Sequence, residues 1–445
     1  MTEGPAGRGA FVLGGGVAGL VAAFGLADAG HRVTLLESRG WLGGRAFSFV
    51  DRTTGWRLDN GPHAMLGCYG AMRALLRRLG TEGLFARDRS LQIAYRTAAG
   101  GRDRLALAAL PVPLAMPFAL LRLGVGLGAR LRALWGMGAV LRGAREAWSV
   151  EDWFAARAQH GAPAAYLWRP LCRAIMNVEP EHASARDFLA TLREAFLGSA
   201  STGAFWLPRA TWGEILADPA PSALARAGVT LRTGARAVGL DVRAGRVTRI
   251  ALGDGAGLEV AAGDVVVSAL PWFALRSLVP EAAAGFGALR SSPIVTAHFV
   301  FAAAFEAPPD DGPLVALVDG DPFHFVYRTP GADRRCLAMF SGGNRSFDGM
   351  QVDAIEAAAR AQLARHCPGF AAAAPARVRI SKEEHATFVA APGSRALRPA
   401  PGRLPGVATN LFVCGDWTAT GLPATLEGAA RSAQAMLRQV AAADS

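Results

Sequence analysis

The chain has 445 residues, 51% of them hydrophobic and 19% charged, which excludes a disordered polymer and leaves room for two domains or one interleaved pair. Its net charge of +11 suits nucleic acid or an anionic membrane surface, and with no nucleic-acid motif and no dense basic block the membrane reading is ahead. The five cysteines, at 68, 172, 336, 367 and 414, form no C-x-x-C pair, which argues against a disulfide framework and points to a reduced, cytoplasmic protein.

The opening MTEGPAGRGA lacks the charged region and cleavage site of a secretory signal. A strand at 10–13, a helix over 17–29 closed by Gly30 and a strand at 33–36 then predict a βαβ unit and a parallel sheet. Between the first strand and the helix stands Gly14-Gly15-Gly16-Val17-Ala18-Gly19, a G-x-G-x-x-G in the context the motif requires. Gly14 makes the tight turn, Gly16 lets a pyrophosphate approach, and Gly19 lets the helix pack on the strand. The first helical amides, Val17 and Ala18 among them, face the phosphates. Glu37 ends the second strand, where a carboxylate accepts from ribose hydroxyls. In Trp41-Leu42-Gly43-Gly44-Arg45 two glycines allow a second close backbone approach, and the arginine can neutralise a pyrophosphate.

Residues 71–217 read as mostly helical and carry Trp135, Trp148, Trp153, Trp168, Trp206 and Trp212. Within them, 105–145 is apolar and then apolar with spaced arginines. Pro111, Pro113, Pro117 and Arg122 interrupt it too often for a membrane span. It suits a surface-lying helix drawn to anionic lipid, or a helix pair covering an internal tunnel. A meander of three or four strands is expected over 228–270, further strands at 293–302 and 323–329, a helix at 351–366, and loop or helix filler at the alanines of 371–374. The chain closes with NLFVCGDWTATGLPATLEGAARSA, a strand that stops at Gly415-Asp416 and turns into a helix. Such a turn presents backbone N–H groups to something anionic or polar.

Glu37 together with Leu42-Gly43-Gly44-Arg45-Ala46 resembles the flavin amine oxidase and phytoene desaturase superfamily. The resemblance implies FAD and an α/β fold, in which a doubly wound, Rossmann-like FAD-binding domain is interleaved with an α+β substrate domain. The cofactor domain would take 1–62, 218–287 and 404–445, and the substrate domain 63–217 and 288–403. The resemblance also implies that Gly415 and Asp416 meet the ribityl or phosphate region. Thr425, Leu426 and Glu427, at the start of the last helix, would lie beneath the flavin ring, where a helix N-terminus stabilises negative charge. The backbone of Ala237, where valine is usual, would meet adenine. No cysteine follows Gly415 in the polar turn, so FAD is expected to be non-covalent.

Three stretches narrow the resemblance: Leu58-Asp59-Asn60-Gly61-Pro62-His63, the run 168–188 followed by Leu207-Pro208-Arg209, and the closing Gly-Asp-Trp-Thr. Together they look like the hydroxysqualene dehydroxylases of bacterial hopanoid and squalene synthesis, over nearly the whole chain, with Pro62 departing from an expected glutamine. The implied reaction removes an allylic hydroxyl from a C30 isoprenoid reductively, giving squalene. It needs an acid to protonate the oxygen, exclusion of water, a hydride from reduced FAD and a long apolar tunnel, which the Trp- and Leu-rich helical region could supply.

Asn60, Gly61 and His63 belong to a segment that the resemblance puts beside the flavin, and His63 is one candidate acid. His298 is the other. It shares a strand face with Ile294 and Thr296, on a strand where many amine oxidases carry a lysine and this chain has none. Each histidine also admits a purely structural reading, and Asn177 and Arg209 carry no assigned role. The alternatives are a carotenoid-type desaturase, an amine oxidase, which the missing lysine opposes, and a non-catalytic flavin- or lipid-binding protein. The electron donor is unidentified. FAD takes the single dinucleotide fingerprint, so NAD(P)H, one candidate, would bind elsewhere or transiently, and quinone and flavodoxin-like donors stay open. The expected location is the cytoplasm, peripherally on the inner face of the cell membrane.

Overall fold

In the computed structural model, residues 7–303, 314–318, 320–330, 335–366 and 375–444 are described; Cys367 and the alanines of 371–374 lie outside them. The βαβ unit forms from β1 (Gly9–Leu13), α1 (Val17–Asp28) and β2 (Arg32–Leu36). The next segment holds α2 (Gly70–Leu79), β3 (Gln92–Thr97), β4 (Arg102–Ala106), α3 (Val112–Arg122), α4 (Leu127–Val140), α5 (Arg169–Met176) and α6 (Ala185–Phe196). The helical expectation for 71–217 is therefore incomplete, because β3 and β4 join a sheet whose other strands lie about 200 residues further on.

The expected meander also divides. β5 (Thr230–Arg232) and β9 (Val265–Ser268) enter the parallel sheet, while β6 (Ala237–Arg243), β7 (Arg246–Leu252) and β8 (Gly257–Glu259) form a small antiparallel sheet of their own. The reason lies in the side chains. The Val-Val-Val-Ser of β9 is buried on both faces, as a central parallel strand requires, whereas β6 is half exposed. Further along the chain come β10 (Ser291–Val300), β11 (Leu314–Val318), β12 (Phe325–Arg328), β13 (Cys336–Gly342), α7 (Val352–His366), β14 (Arg377–Phe388), β15 (Gly402–Arg403), β16 (Leu411–Val413) and α8 (Leu426–Asp444).

The first sheet runs β5-β2-β1-β9-β16-β15, parallel apart from β15. Its register sets Leu13 opposite Leu36 and Ser268, and Ser268 opposite Val413. Four strands therefore end level, and Gly14, Glu37, Ala269 and Cys414 leave along one edge. Ligands bind outside the carboxyl ends of such sheets. The second sheet runs β14-β10-β13-β12-β11-β3-β4, antiparallel except between β11 and β3. A bulge between Ser292 and Ile294 bends its longest pair, β10 and β14. Among the described residues no helix is long and apolar enough to cross a membrane.

Candidate functional site

The level strand ends open onto a cavity of about 890 Å³ that continues between the two sheets. Of the candidate cofactor and catalytic residues, all line it except Gly19, His298 and Glu427.

At one end the glycines make room. Gly14 turns at φ +101°, and a Cβ on Gly19 would stand 1.8 Å from the Gly14 carbonyl oxygen, so only glycine lets α1 start this close to β1. Gly44, at φ +62°, lies back to back with Gly16; a Cβ on it would come within 3.1 Å of the Gly16 Cα. No side chain caps the N-terminus of α1, so its first amides are free for an anion. Glu37 is buried at the cavity wall, accepting from Gly15 N at 2.7 Å and Arg39 N at 2.8 Å. A glycine-walled cradle, open helix amides and a fixed carboxylate fit the pyrophosphate and ribose of a dinucleotide.

The other end is built by the closing segment. Gly415 leaves β16 at φ +142°, where a Cβ would meet the Trp417 indole at 2.8 Å, and its N–H donates to Ser432 Oγ at 2.7 Å. Asp416 accepts from Arg45 Nη2 at 2.6 Å, while Arg45 Nη1 donates to the Ala386 carbonyl at 2.8 Å. Arg45 thus ties the Gly43-Gly44 loop to both the last strand and β14 rather than standing free to meet a phosphate. Thr425 and Leu426 line the cavity, and Thr425 Oγ1 accepts from Gly428 N at 2.9 Å at the start of α8. Glu427 turns away. It accepts from Ala71 N at 3.1 Å, Met72 N at 2.9 Å and Arg431 Nε at 2.6 Å, so it caps α2 instead of facing the cavity.

His63 stands in the cavity wall, edge-on to Trp212 with ring centroids 5.6 Å apart. Burial pushes its imidazole down to about 4, against an opposing hydrogen bond to the Arg45 backbone. At neutral pH it is an uncharged ring rather than an imidazolium acid. His298 shares its strand face with Ile294, which lines the cavity, but four residues of strand carry it about 13 Å further along. There it is buried against Phe49, burial and the Arg379 charge push it down to about 4, and neither ring nitrogen finds a hydrogen-bond partner among the described residues. Distance thus corrects its assignment as a catalytic group.

Other cavity residues had no sequence signal. β14 presents Glu383, His385 and Thr387 by its period of two. Asn60 Nδ2 donates to Glu383 Oε2 at 3.1 Å, and Ser381 Oγ donates to Asn60 Oδ1 at 2.9 Å. His385 bonds Ser291 Oγ at 2.6 Å and packs on Phe273. The neighbouring Lys382, the chain's one lysine, points the other way and donates to the Met350 carbonyl at 2.9 Å. The run Ser-Lys-Glu-Glu-His-Ala-Thr is polar on both faces, so the sequence does not show which face turns inward.

Asn177 ends α5 in the left-handed conformation, φ 51°, which asparagine tolerates. It donates to Thr387 Oγ1 at 2.9 Å and its carbonyl accepts from Ser292 Oγ at 2.5 Å, so it fastens α5 to the bulge of β10 and to β14. Ser184, in the same motif, caps α6 by accepting from Asp187 N at 3.3 Å. Arg209 is exposed and its side chain lies outside the cavity.

The apolar limb of the cavity is walled by Leu171, Ile175, Phe196 and Leu207 on one side and by Phe325 and Phe340 on the other. None of the tryptophans lines it: Trp153, Trp168 and Trp212 are core, and Trp135 is exposed. No residue of 105–145 lines it either. Instead Leu114, Phe118 and Leu121 of α3 and Leu127, Leu131 and Trp135 of α4 point outward, each 52–66% exposed. The two helices thus present an exposed apolar stripe and do not line the cavity.

The family model for flavin containing amine oxidoreductase matches residues 17–440. A hydroxysqualene dehydroxylase from Rhodopseudomonas palustris is 32% identical over 95% of each chain, and one from Sinorhizobium fredii 29% identical over 95% of each. A chloroplastic/chromoplastic zeta-carotene desaturase from Arabidopsis thaliana is 26% identical over 61% of this chain and 52% of its own. Among solved structures, an oxidoreductase from Methanosarcina mazei superposes with a TM-score of 0.74 over 98% of this chain and 100% of its own, at 16% identity, a likeness of fold.

Proposed function

The chain belongs to the flavin-containing amine oxidoreductase family, and we propose that it uses non-covalent FAD to remove the allylic hydroxyl of hydroxysqualene reductively, giving squalene. One observation carries the reading: a dinucleotide cradle and an apolar limb share a single cavity. Relatives named for that activity, aligned along 95% of the chain, support it.

In this reading the cofactor is held by residues of 1–62, 218–287 and 404–445. The Gly14–Gly19 turn and the α1 amides take the pyrophosphate, Glu37 the ribose hydroxyls and the Ala237 backbone the adenine. Asp416 and the Thr425–Leu426 turn hold the flavin end. Bound flavin, once reduced, supplies the hydride. The apolar walls seat the isoprenoid tails and keep water from recapturing an allylic cation. Two electrons per turnover come from an external donor; NAD(P)H is a candidate, binding outside the cradle. The substrate comes from the bilayer, and the outward apolar face of α3 and α4 rests in the inner leaflet of the cell membrane, on the cytoplasmic side.

Desaturation of a carotenoid-like polyene is the second reading, favoured by the same apolar limb and by the desaturase similarity. Amine oxidation is disfavoured because the one lysine faces away from the cavity. Anaerobic, pre-reduced protein mixed with hydroxysqualene should regain its yellow colour and form squalene. Bleaching of oxidised protein by phytoene or zeta-carotene, with no response to hydroxysqualene, would establish the second reading. Silence toward all three overturns both. The non-covalent FAD is checked by acid precipitation: colour should leave the pellet, and the released cofactor should be FAD.

A further inference from the structure

We propose that Glu383 is the proton donor that turns the substrate's hydroxyl into a leaving group, and that Asn60 aims it. The assignment rests on the dehydroxylation reading above. Among the described residues three carboxylates line the cavity: Glu37, Asp416 and Glu383. Glu37 is held by two backbone N–H groups at the far nucleotide end, and Asp416 is paired with Arg45. Glu383 accepts from Asn60 Nδ2 at 3.1 Å and from His385 N at 3.4 Å, and among the described residues it forms no ion pair. Asn60 cannot swing, because its Oδ1 is fixed by Ser381 Oγ at 2.9 Å, two residues back on the same strand.

The position suits the role. Glu383 stands opposite Ile294 in the β10–β14 register, so the two side chains share a face, and both line the cavity. It lies at the seam where the polar cofactor end meets apolar walls. A chain of isoprene units filling the apolar limb takes water from that seam. His63 also lines the cavity, and burial keeps it uncharged, while His385, two residues along β14, is bonded to Ser291 Oγ. His63 can hydrogen-bond a hydroxyl but carries no proton it gives up readily.

The step balances. The Glu383 proton moves to the hydroxyl oxygen, the carbon–oxygen bond breaks, and its electron pair leaves with water. Bound reduced flavin would supply the hydride that quenches the allylic cation, which faces the new carboxylate. Glu383 would regain its proton from solvent, and the external donor would supply the two electrons, with the second proton also from solvent.

The test compares Glu383→Gln with wild type on two substrates: hydroxysqualene and its allylic acetate ester, whose leaving group needs no proton. Both proteins should carry equal FAD and melt alike. Single-turnover flavin reoxidation with the alcohol should fall 10²–10⁴-fold in the variant, while the ester stays within about threefold of wild type. A readout independent of turnover is binding to the oxidised protein, followed by tryptophan fluorescence. Wild type should prefer hydroxysqualene to squalene, and Glu383→Ala should lose most of that preference. Full rate on the alcohol in Glu383→Gln overturns the assignment, as does equal loss on alcohol and ester, which would mark a packing role. If wild type turns over neither compound, dehydroxylation itself falls and takes this assignment with it.

Discussion

His298 is a buried imidazole with no hydrogen-bond partner among the described residues, and that gives it a measurable pH signature. Its folded value of about 4 lies below the ordinary 6.5. The stability it contributes is therefore present above pH 6.5 and lost as pH falls through 4, worth roughly 2 kcal/mol between pH 7 and pH 4.5. His298→Leu should shrink the drop in denaturant midpoint across that interval by a comparable amount. It should leave the protein at least as stable at pH 7, since two unpaired buried nitrogens go, and leave turnover unchanged. Loss of turnover would return His298 to the active site. Gly19 makes the opposite kind of prediction. A methyl group there would stand 1.8 Å from the Gly14 oxygen, so Gly19→Ala should lower FAD content at least tenfold while the far-ultraviolet circular dichroism changes little. An alanine variant purified with full colour contradicts it.

At the scale of elements, Glu427 joins two helices. Its carboxylate holds the first amides of α2 and pairs with Arg431 within α8. Glu427→Gln keeps the shape and loses the charge, so the α2 terminus and a partly buried arginine both lose strength. The expected cost is about 1–3 kcal/mol, read as a lower melting temperature with FAD content unchanged. A loss of FAD at unchanged stability would instead place Glu427 at the flavin.

From the sequence, this glutamate is one more acidic residue at a helix start beside the closing Gly-Asp. Only the packing of α2 on α8 shows where it points. The β1–α1–β2 unit was legible because glycine spacing and an apolar strand are local signals. The pairing of β3 with β11 was not, since the partner that decides it lies more than 200 residues away. Polar β14 was opaque for another reason: alternation marks a face only when the two faces differ in polarity.

For the whole molecule, the outward stripe of α3 and α4 predicts behaviour at a bilayer. Wild-type protein should float with liposomes containing anionic lipid, whereas Leu131→Glu/Trp135→Glu should stay in the dense fraction while still turning over detergent-dispersed substrate. Flotation by neither protein removes the membrane role. Another consequence of the fold concerns its synthesis. The sheet that carries the glycine signature pairs β9 with β16, and Arg45 is held by Asp416, so a site opened in the first tenth of the chain is closed by the last. On a ribosome the nucleotide signature emerges early, yet residues 411–416 must follow before its cavity has four walls. Cofactor loading is therefore a late event, and it tests whether the whole chain has been made. Nascent chains stalled before Leu411 should hold no flavin although every residue from Gly14 to Arg45 is present.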